Sequence, residues 1–237
     1  MIRSAMLLES FHLKPADAAA LAFFIAAWVV FSFAAAGRLS RRTTLTQAMN
    51  RQREEWMRTM ARRELRMIDT GIMAGLQQGT AFFASSSIFA IGGCLALLGA
   101  SDQVMTVLGD LPFGTVTSRA EFELKVLGLA VILSYSFFKF GWAYRLFNYC
   151  SILIGAVPVI KDESREGHDT ARAITRAARM NVLAGGHFNA GLRGIFFSLG
   201  YLGWFIGPAV FAATTVFVFV VLLRRQFFSA ARSAVID

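Results

Sequence analysis

The stretch LKVLGLAVILSYSFFKFGWAYRLFNYCSILIGAVP, residues 124–158, decides the fold of this chain. Its first part is apolar enough to cross a membrane, Lys139 and Arg145 follow, and no proline interrupts it before Pro158. A single helix of this length would measure roughly 50 Å, whereas the hydrocarbon layer of a bilayer is about 30 Å thick. The stretch therefore predicts either a span with a long cytoplasmic extension or a kinked span.

The composition favours a membrane protein built from helices. Hydrophobic residues make up 56% of the 237 residues, and with only four prolines long helices are permitted. Three further apolar runs, 16–36, 80–99 and 194–223, are long enough to cross a bilayer. We therefore predict an all-α, multi-pass transmembrane bundle with four spans and long cytoplasmic helical extensions, in one membrane domain over residues 1–237.

The net charge of +9 comes mainly from arginines between the apolar runs. At these positions the arginines are better suited to bind anionic lipid headgroups than nucleic acid, and the sequence has no nucleic-acid-binding motif. Segments 38–69 and 145–193 hold 16 Lys or Arg, against seven in the head, the 101–125 loop and the tail. The positive-inside rule therefore predicts both segments in the cytoplasm and both termini on the non-cytoplasmic side.

Two polar helices are predicted in these connections, at 43–69 and 170–192. One face of the first is formed by four residues at helical spacing, Met49, Trp56, Met60 and Met67. Such a helix is either solvated, with weak Glu–Arg pairs, or docks on a lipid surface or a partner.

An internal repeat is indicated by a shift of 114 residues, which aligns the two halves of the chain without a gap. Trp28 then falls on Trp142 and Gly71 on Gly185. These matches predict pseudo-repeats at roughly 13–100 and 127–214, each made of a span, a cytoplasmic helix and a second span. Two spans per unit would relate the halves by an axis along the membrane normal.

Glycines recur at helical spacing in two of the predicted helices. Small residues in such a stripe let another helix approach closely. Six positions are therefore predicted to be helix–helix contacts: Gly71, Gly75, Gly79, Gly200, Gly203 and Gly207. The same stripes leave association into a homo-oligomer open.

Four blocks carry a resemblance to a known family: TAFFASSSIFAIGGCLALLG (80–99), FFKFGWAYRLFNYCSILIGAVP (137–158), NAGLRGIFFSLGYLGWFIGP (189–208) and RRQFFS (224–229). Together they resemble a family of four-span integral membrane proteins of bacteria and plants that is catalogued as a domain of unknown function. The resemblance covers nearly the whole chain after about residue 15. It implies a multi-pass membrane protein and brings no activity, substrate or catalytic residues with it. We predict that the protein lies in the cell membrane, the inner membrane in bacteria.

Motifs typical of an enzyme are missing from the sequence. His12, His168 and His187 are scattered, and none has a His, Cys or carboxylate beside it at metal-ligand spacing. There is no P-loop, dinucleotide fingerprint or paired-carboxylate motif. We therefore predict no catalytic residues, no metal and no cofactor, and a lipid-modifying enzyme is the weakest interpretation.

Polar side chains at membrane depth are the strongest functional signal. On the 124–158 helix one face carries Tyr135, Lys139, Trp142, Arg145 and Tyr149. Ionisable groups in spans generally face the protein interior or water. The predicted site for a negatively charged ligand consists of Lys139, Arg145, Asn148, Tyr149, Asn189 and Arg193. The alternative is that Lys139 snorkels to the interface and Arg145 is an ordinary positive-inside anchor.

Two functions of different classes follow from these observations. The first is a conduit or binding site for an anion or small solute along the polar face. The second is a structural or assembly protein whose basic cytoplasmic helices dock a partner or anionic lipid.

Overall fold

The structure, a computed structural model, describes residues 14–109, 118–160 and 167–236. Its helices are α1 (Pro15–Ala35), α2 (Leu45–Ala61), α3 (Met67–Gly99), α4 (Ser101–Gly109), α5 (Arg119–Ala156), α6 (His168–Tyr201), α7 (Pro208–Phe227) and α8 (Ala230–Ile236), with a 3-10 turn at Leu202–Phe205. The predicted all-α bundle is confirmed. By length and composition four helical segments could cross a membrane: Pro15–Ala35, Met67–Gly99, Arg119–Ala156 and Pro208–Ile236.

The helix that the sequence placed at 124–158 is α5, and it begins five residues earlier than predicted. Ser118 caps its start by accepting a hydrogen bond from the backbone N–H of Glu121, at 3.2 Å. At its other end Arg66 donates to the carbonyl oxygens of Ile154 and Val157, both at 2.7 Å. The helix is unbroken over 38 residues, about 57 Å, which favours a span with a long extension over a kinked span.

Two hydrophobic cores lie along α5 and α6, which run antiparallel. Their contacts extend from Gly128 beside Tyr201 to Cys150 beside Ala177. One core joins the start of α5 and the end of α6 to α1 and α7. The other joins the end of α5 and the start of α6 to α2 and the start of α3.

Aromatic rings fix α1 within the first core. Trp28 stacks on Phe197 of α6, with ring centroids 5.1 Å apart, and Phe24 packs on Phe211 of α7 at 5.1 Å. At the start of α1, the buried carboxylate of Asp17 accepts a hydrogen bond from the indole N–H of Trp204, at 2.6 Å. Near the other end of both helices Gln226 Nε2 donates to the carbonyl oxygen of Ala35 at 3.5 Å, so α1 and α7 run parallel.

The apolar run at 194–223, predicted to hold the fourth span, is a helical hairpin, and its second arm, α7, lies in the segment that could cross a membrane. Helix α6 continues to Tyr201, the chain turns through Leu202–Phe205, and α7 returns along α6. Thr214 Oγ1 donates to the carbonyl oxygen of Gly200 at 2.7 Å across this hairpin. The last turns of α6 therefore lie in the same layer as α1, α5 and α7.

The hairpin also corrects the predicted position of the C terminus. Helix α8 packs beside α2, where Arg232 Nε donates to the carbonyl oxygen of Thr43 at 2.8 Å. The tail thus lies at the same end of the bundle as α2, whereas the sequence placed them on opposite sides. The start of α1, beside Trp204, lies at the other end.

The predicted polar helix at 43–69 is two elements, because α2 ends at Ala61 and α3 begins at Met67. Met60 is buried and Trp56 partly buried, but Met49 and Met67 are exposed, so only half of the predicted face packs. At the offset of 114 the break at 62–66 falls on 176–180, inside α6. The helix boundaries thus lend the repeat no support, and it stays a prediction.

The predicted loop at 101–125 contains α4 and the start of α5. Residues 1–13, 110–117, 161–166 and 237 lie outside the described residues, and His12 is among them.

The two glycine stripes differ in their surroundings. A Cβ added at Gly203 would collide with Thr214 Oγ1 and lie 3.0 Å from the Val210 carbonyl oxygen, while one at Gly200 would touch Val218 at 3.4 Å. An added Cβ would meet no described atom within 4 Å at four other positions, Gly71, Gly75, Gly79 and Gly207. Of the six predicted positions, only Gly200 and Gly203 therefore lie at a close contact between helices of the described chain.

Candidate functional site

The candidate site lies where α1 and α7 end and α5 and α6 continue. Helix α1 stops at Ala35, and Gly37 reverses the chain in a left-handed conformation, φ 75°, that favours glycine. Thr44 then starts α2 with a capping box, in which its side chain accepts from the N–H of Gln47 and Gln47 accepts in return. This tight turn lays the first half of α2 over the ends of α1 and α7.

Two adjoining cavities open at this level, with volumes of about 570 Å³ and 230 Å³. Residues of α1, α2, α5 and α6 line the larger cavity, and residues of α1, α2, α6 and α7 line the smaller one. Four residues line both: Ala35, Thr46, Asn189 and Arg193. We refer to the two cavities together as the cleft.

The cleft is strongly cationic. Arg38, Lys139 and Arg193 line the larger cavity, and Arg53 and Arg225 join Arg193 around the smaller one. None of the described residues that line either cavity is an aspartate or a glutamate. Thr46, Asn50 and Asn189 supply neutral polar groups between the cations. Such a lining matches a negatively charged group with several oxygen atoms.

Arg193 is the central cation of the cleft. It is partly buried, and its Nε is enclosed without a hydrogen-bond partner among the described residues. A buried donor that stays unsatisfied costs about 1–3 kcal/mol, and more when it is charged. Arg193 lines both cavities, and an anion there would offset part of the cost of burying its charge.

Lys139 faces the cleft from α5. It is partly buried and lies with its ammonium group 5.3 Å from the ring centroid of Tyr135. It lines the same cavity as Asn189 and Arg193, which places three of the predicted ligand residues together.

Arg53 is held at the opposite wall by a buried partner. Its Nη1 donates to Asn181 Oδ1 at 2.7 Å, and its guanidinium packs against Gly185, where a Cβ would lie 2.7 Å from Cζ. Burial lowers the pKa of Arg53 from its ordinary value. An anion beside Arg53 would offset this loss of hydration.

Residues 19–231 match the family described as "Protein of unknown function, DUF599". The chain belongs to the DUF599 family. No curated protein matches this DUF599 member, and no solved structure does. The family description gives no activity, ligand or site residue. Any function of the cleft is therefore inferred from its geometry.

Three predicted ligand residues of the DUF599 protein lie away from the cleft. Arg145 Nε donates to Tyr149 Oη at 2.7 Å, and the guanidinium stands 5.4 Å from the Tyr149 ring centroid. Arg145 and Tyr149 are exposed and Asn148 is partly buried, farther along α5. The structure thus brings Lys139, Asn189 and Arg193 together and leaves Arg145, Asn148 and Tyr149 outside both cavities.

Three cations of the cleft were not singled out as ligand residues from the sequence: Arg38, Arg53 and Arg225. For Arg53 a signal was present, because it stands three residues before Trp56 and four before Met57 and so shares their inward stripe. Arg38 and Arg225 follow apolar runs, and an arginine at such a position is typical of any span end. Arg38 and Arg225 both line the cleft because α1 and α7 end at the same level.

Proposed function

We propose that this DUF599 protein is a multi-pass membrane protein whose cleft binds an anionic group at the cytoplasmic boundary of the hydrocarbon layer. The observation that carries the proposal is the meeting of five cationic side chains, with no described carboxylate lining, where two apolar helices end. Converging cations without counter-charge favour an anion and repel other cations.

Insertion in a bilayer is supported by the outer surfaces of the apolar helices. Phe89 on α3 is 79% exposed and Phe217 on α7 is 69% exposed, and many of their neighbours are exposed as well. A soluble monomer rarely exposes contiguous apolar surface of this extent. Acyl chains would cover it.

The orientation follows from the charges and the corrected topology. The end with α2, the start of α6 and α8 carries most of the basic residues. By the positive-inside rule this end is cytoplasmic, and so is the C terminus. The start of α1 would lie on the other side.

Binding is favoured over conduction through the single chain. Phe31 and Phe196 line the inner wall of the smaller cavity. Between there and Asp17, the core is filled by aromatic rings, those of Phe24, Phe197, Tyr201, Trp204 and Phe211. A hydrated path for an ion would have to displace these rings.

The proposal is tested by anion-induced stabilisation of the purified protein in detergent at low salt. Inorganic phosphate, glycerol 3-phosphate and phosphatidylglycerol are added separately, and the shift in Tm is measured. At least one should stabilise the wild type, because a ligand that binds only the folded state raises its stability. Lys139→Met with Arg193→Gln should lose this shift, and the matched variant Arg172→Gln, an exposed α6 arginine, should keep it. Equal shifts in all three proteins, or none in the wild type, would contradict the proposal.

A further inference from the structure

An apolar groove runs along the outer surface between α1 and α5. Its volume is about 440 Å³. The lining residues are mostly apolar: Ile25, Trp28, Val29, Ser32, Phe33, Val131, Ile132 and Tyr135. The rings of Trp28 and Tyr135 meet between the two helices, with centroids 5.5 Å apart. The groove thus has a floor of side chains and opens toward the surrounding lipid.

The groove leads into the cationic cleft. Ser32 lines both. Two cations of the cleft also lie against aromatic walls of the groove: Lys139 Nζ is 5.3 Å from the ring centroid of Tyr135, and Arg38 Cζ is 5.7 Å from that of Phe33. The apolar and the cationic surface are therefore parts of one continuous site.

The order of the two parts matches the depth of a membrane lipid. On α1 the groove extends from Ile25 to Phe33, a rise of about 12 Å, and the cleft begins where α1 ends. The apolar part thus lies within the hydrocarbon layer and the cationic part at its boundary.

We propose that this site holds one anionic phospholipid, with its phosphate in the cleft and one acyl chain in the groove. The inference rests on the proposed function and adds the chemical class of the ligand. Charge complementarity selects the headgroup, since the described cleft residues supply several cations and no carboxylate. A free phosphate would use the cleft alone, and the groove would then make no difference to binding.

The test compares a lipid with its headgroup. Binding of phosphatidylglycerol, phosphatidylcholine and glycerol 3-phosphate to the detergent-solubilised full chain is measured by native mass spectrometry and by the shift in Tm. Val29→Trp with Val131→Trp fills the groove, Val220→Trp is the matched control on the exposed face of α7, and Arg193→Gln alters the cleft.

The wild type should bind phosphatidylglycerol at least about tenfold more tightly than either other probe. The groove variant should lose that advantage over glycerol 3-phosphate but still bind the soluble phosphate, while Val220→Trp should behave as wild type. Phosphatidylglycerol binding that the groove variant retains in full would overturn the inference and leave the anion site standing. If no anionic probe binds the wild type, the inference and the proposed function both fail.

Discussion

Lys139 of α5 and Arg193 of α6 line one cavity at the level where α1 ends. Each comes from a helix that continues past this level, and α2 covers them from the far side. Lys139 and Arg193 line a common cavity because α5 and α6 have fewer neighbouring helices beyond the ends of α1 and α7. The chemistry of the cleft is therefore a consequence of helix lengths, and the following predictions test both the helices and the cleft.

The C terminus is predicted to lie in the cytoplasm. Contact between Arg232 and Thr43 fixes the tail on the side of α2, and the basic residues favour the cytoplasm for that side. A fluorescent reporter fused after Asp237 should therefore fluoresce, and alkaline phosphatase fused at the same point should be inactive. The opposite pair of results would show that the orientation is reversed.

The bond between Asp17 and Trp204 should stabilise the end of the bundle farthest from the cleft. Trp204→Phe removes the donor and leaves a buried carboxylate with one bond fewer, for which we expect a loss of about 1.5–3 kcal/mol. Thermal or denaturant unfolding in detergent measures the loss. Trp142→Phe, at a site that is 48% exposed, is the matched control and should change little. Equal stability of both variants would show that the bond contributes nothing.

Gly203→Leu and Gly75→Leu should have different effects in the monomer. The Gly203 variant forces a side chain against Thr214 and the Val210 carbonyl group, so α6 and α7 must separate and the protein should lose several kcal/mol. At Gly75 no described atom of the chain lies within reach of a Cβ, and the monomer should keep its stability. Thermal unfolding measures the stability of each variant, and size-exclusion chromatography with light scattering measures its mass. A large loss at Gly75 together with a change of mass would reveal contacts between copies of the chain.

Much of the fold follows from hydrophobic runs and helix caps, as α5 illustrates. The hairpin at 194–223 does not, because an apolar run that contains Gly203, Gly207 and Pro208 has the same pattern whether the helix bends or reverses. The difference lies in the bond from Thr214 to Gly200 and in the packing of α7 on α1, which are tertiary contacts. Because one span is predicted for this run, the tail is predicted on the side of the bundle opposite to α2, whereas it lies beside α2.

Helical periodicity predicts part of the candidate site. Lys139 is partly buried beside α6, although Tyr135 and Trp142 on its predicted face are exposed. Asn189 and Arg193 are one turn apart on α6. The same argument includes Arg145 and Tyr149, which lie outside both cavities because α5 continues past the cleft. Arg38 and Arg225 come from helix ends, where periodicity gives no information about neighbours.

Salt should weaken ligand binding at the cleft more than it weakens the fold. The cations at the boundary are partly exposed, and screening acts over about 10 Å at 0.1 M salt. The Tm shift given by phosphatidylglycerol should therefore fall between low salt and 0.5 M sodium chloride, while the Tm of the lipid-free protein changes less. A shift that is independent of salt would indicate that binding is apolar and does not involve Lys139 or Arg193.

The most direct measurement is an experimental structure of the full chain in nanodiscs that contain phosphatidylglycerol. We expect density for a phosphate group within hydrogen-bond distance of the Arg193 guanidinium and close to Lys139, continuous with an acyl chain between α1 and α5. A cleft in which Arg193 is satisfied by the protein's own carboxylates, with lipid density only elsewhere on the surface, would contradict it.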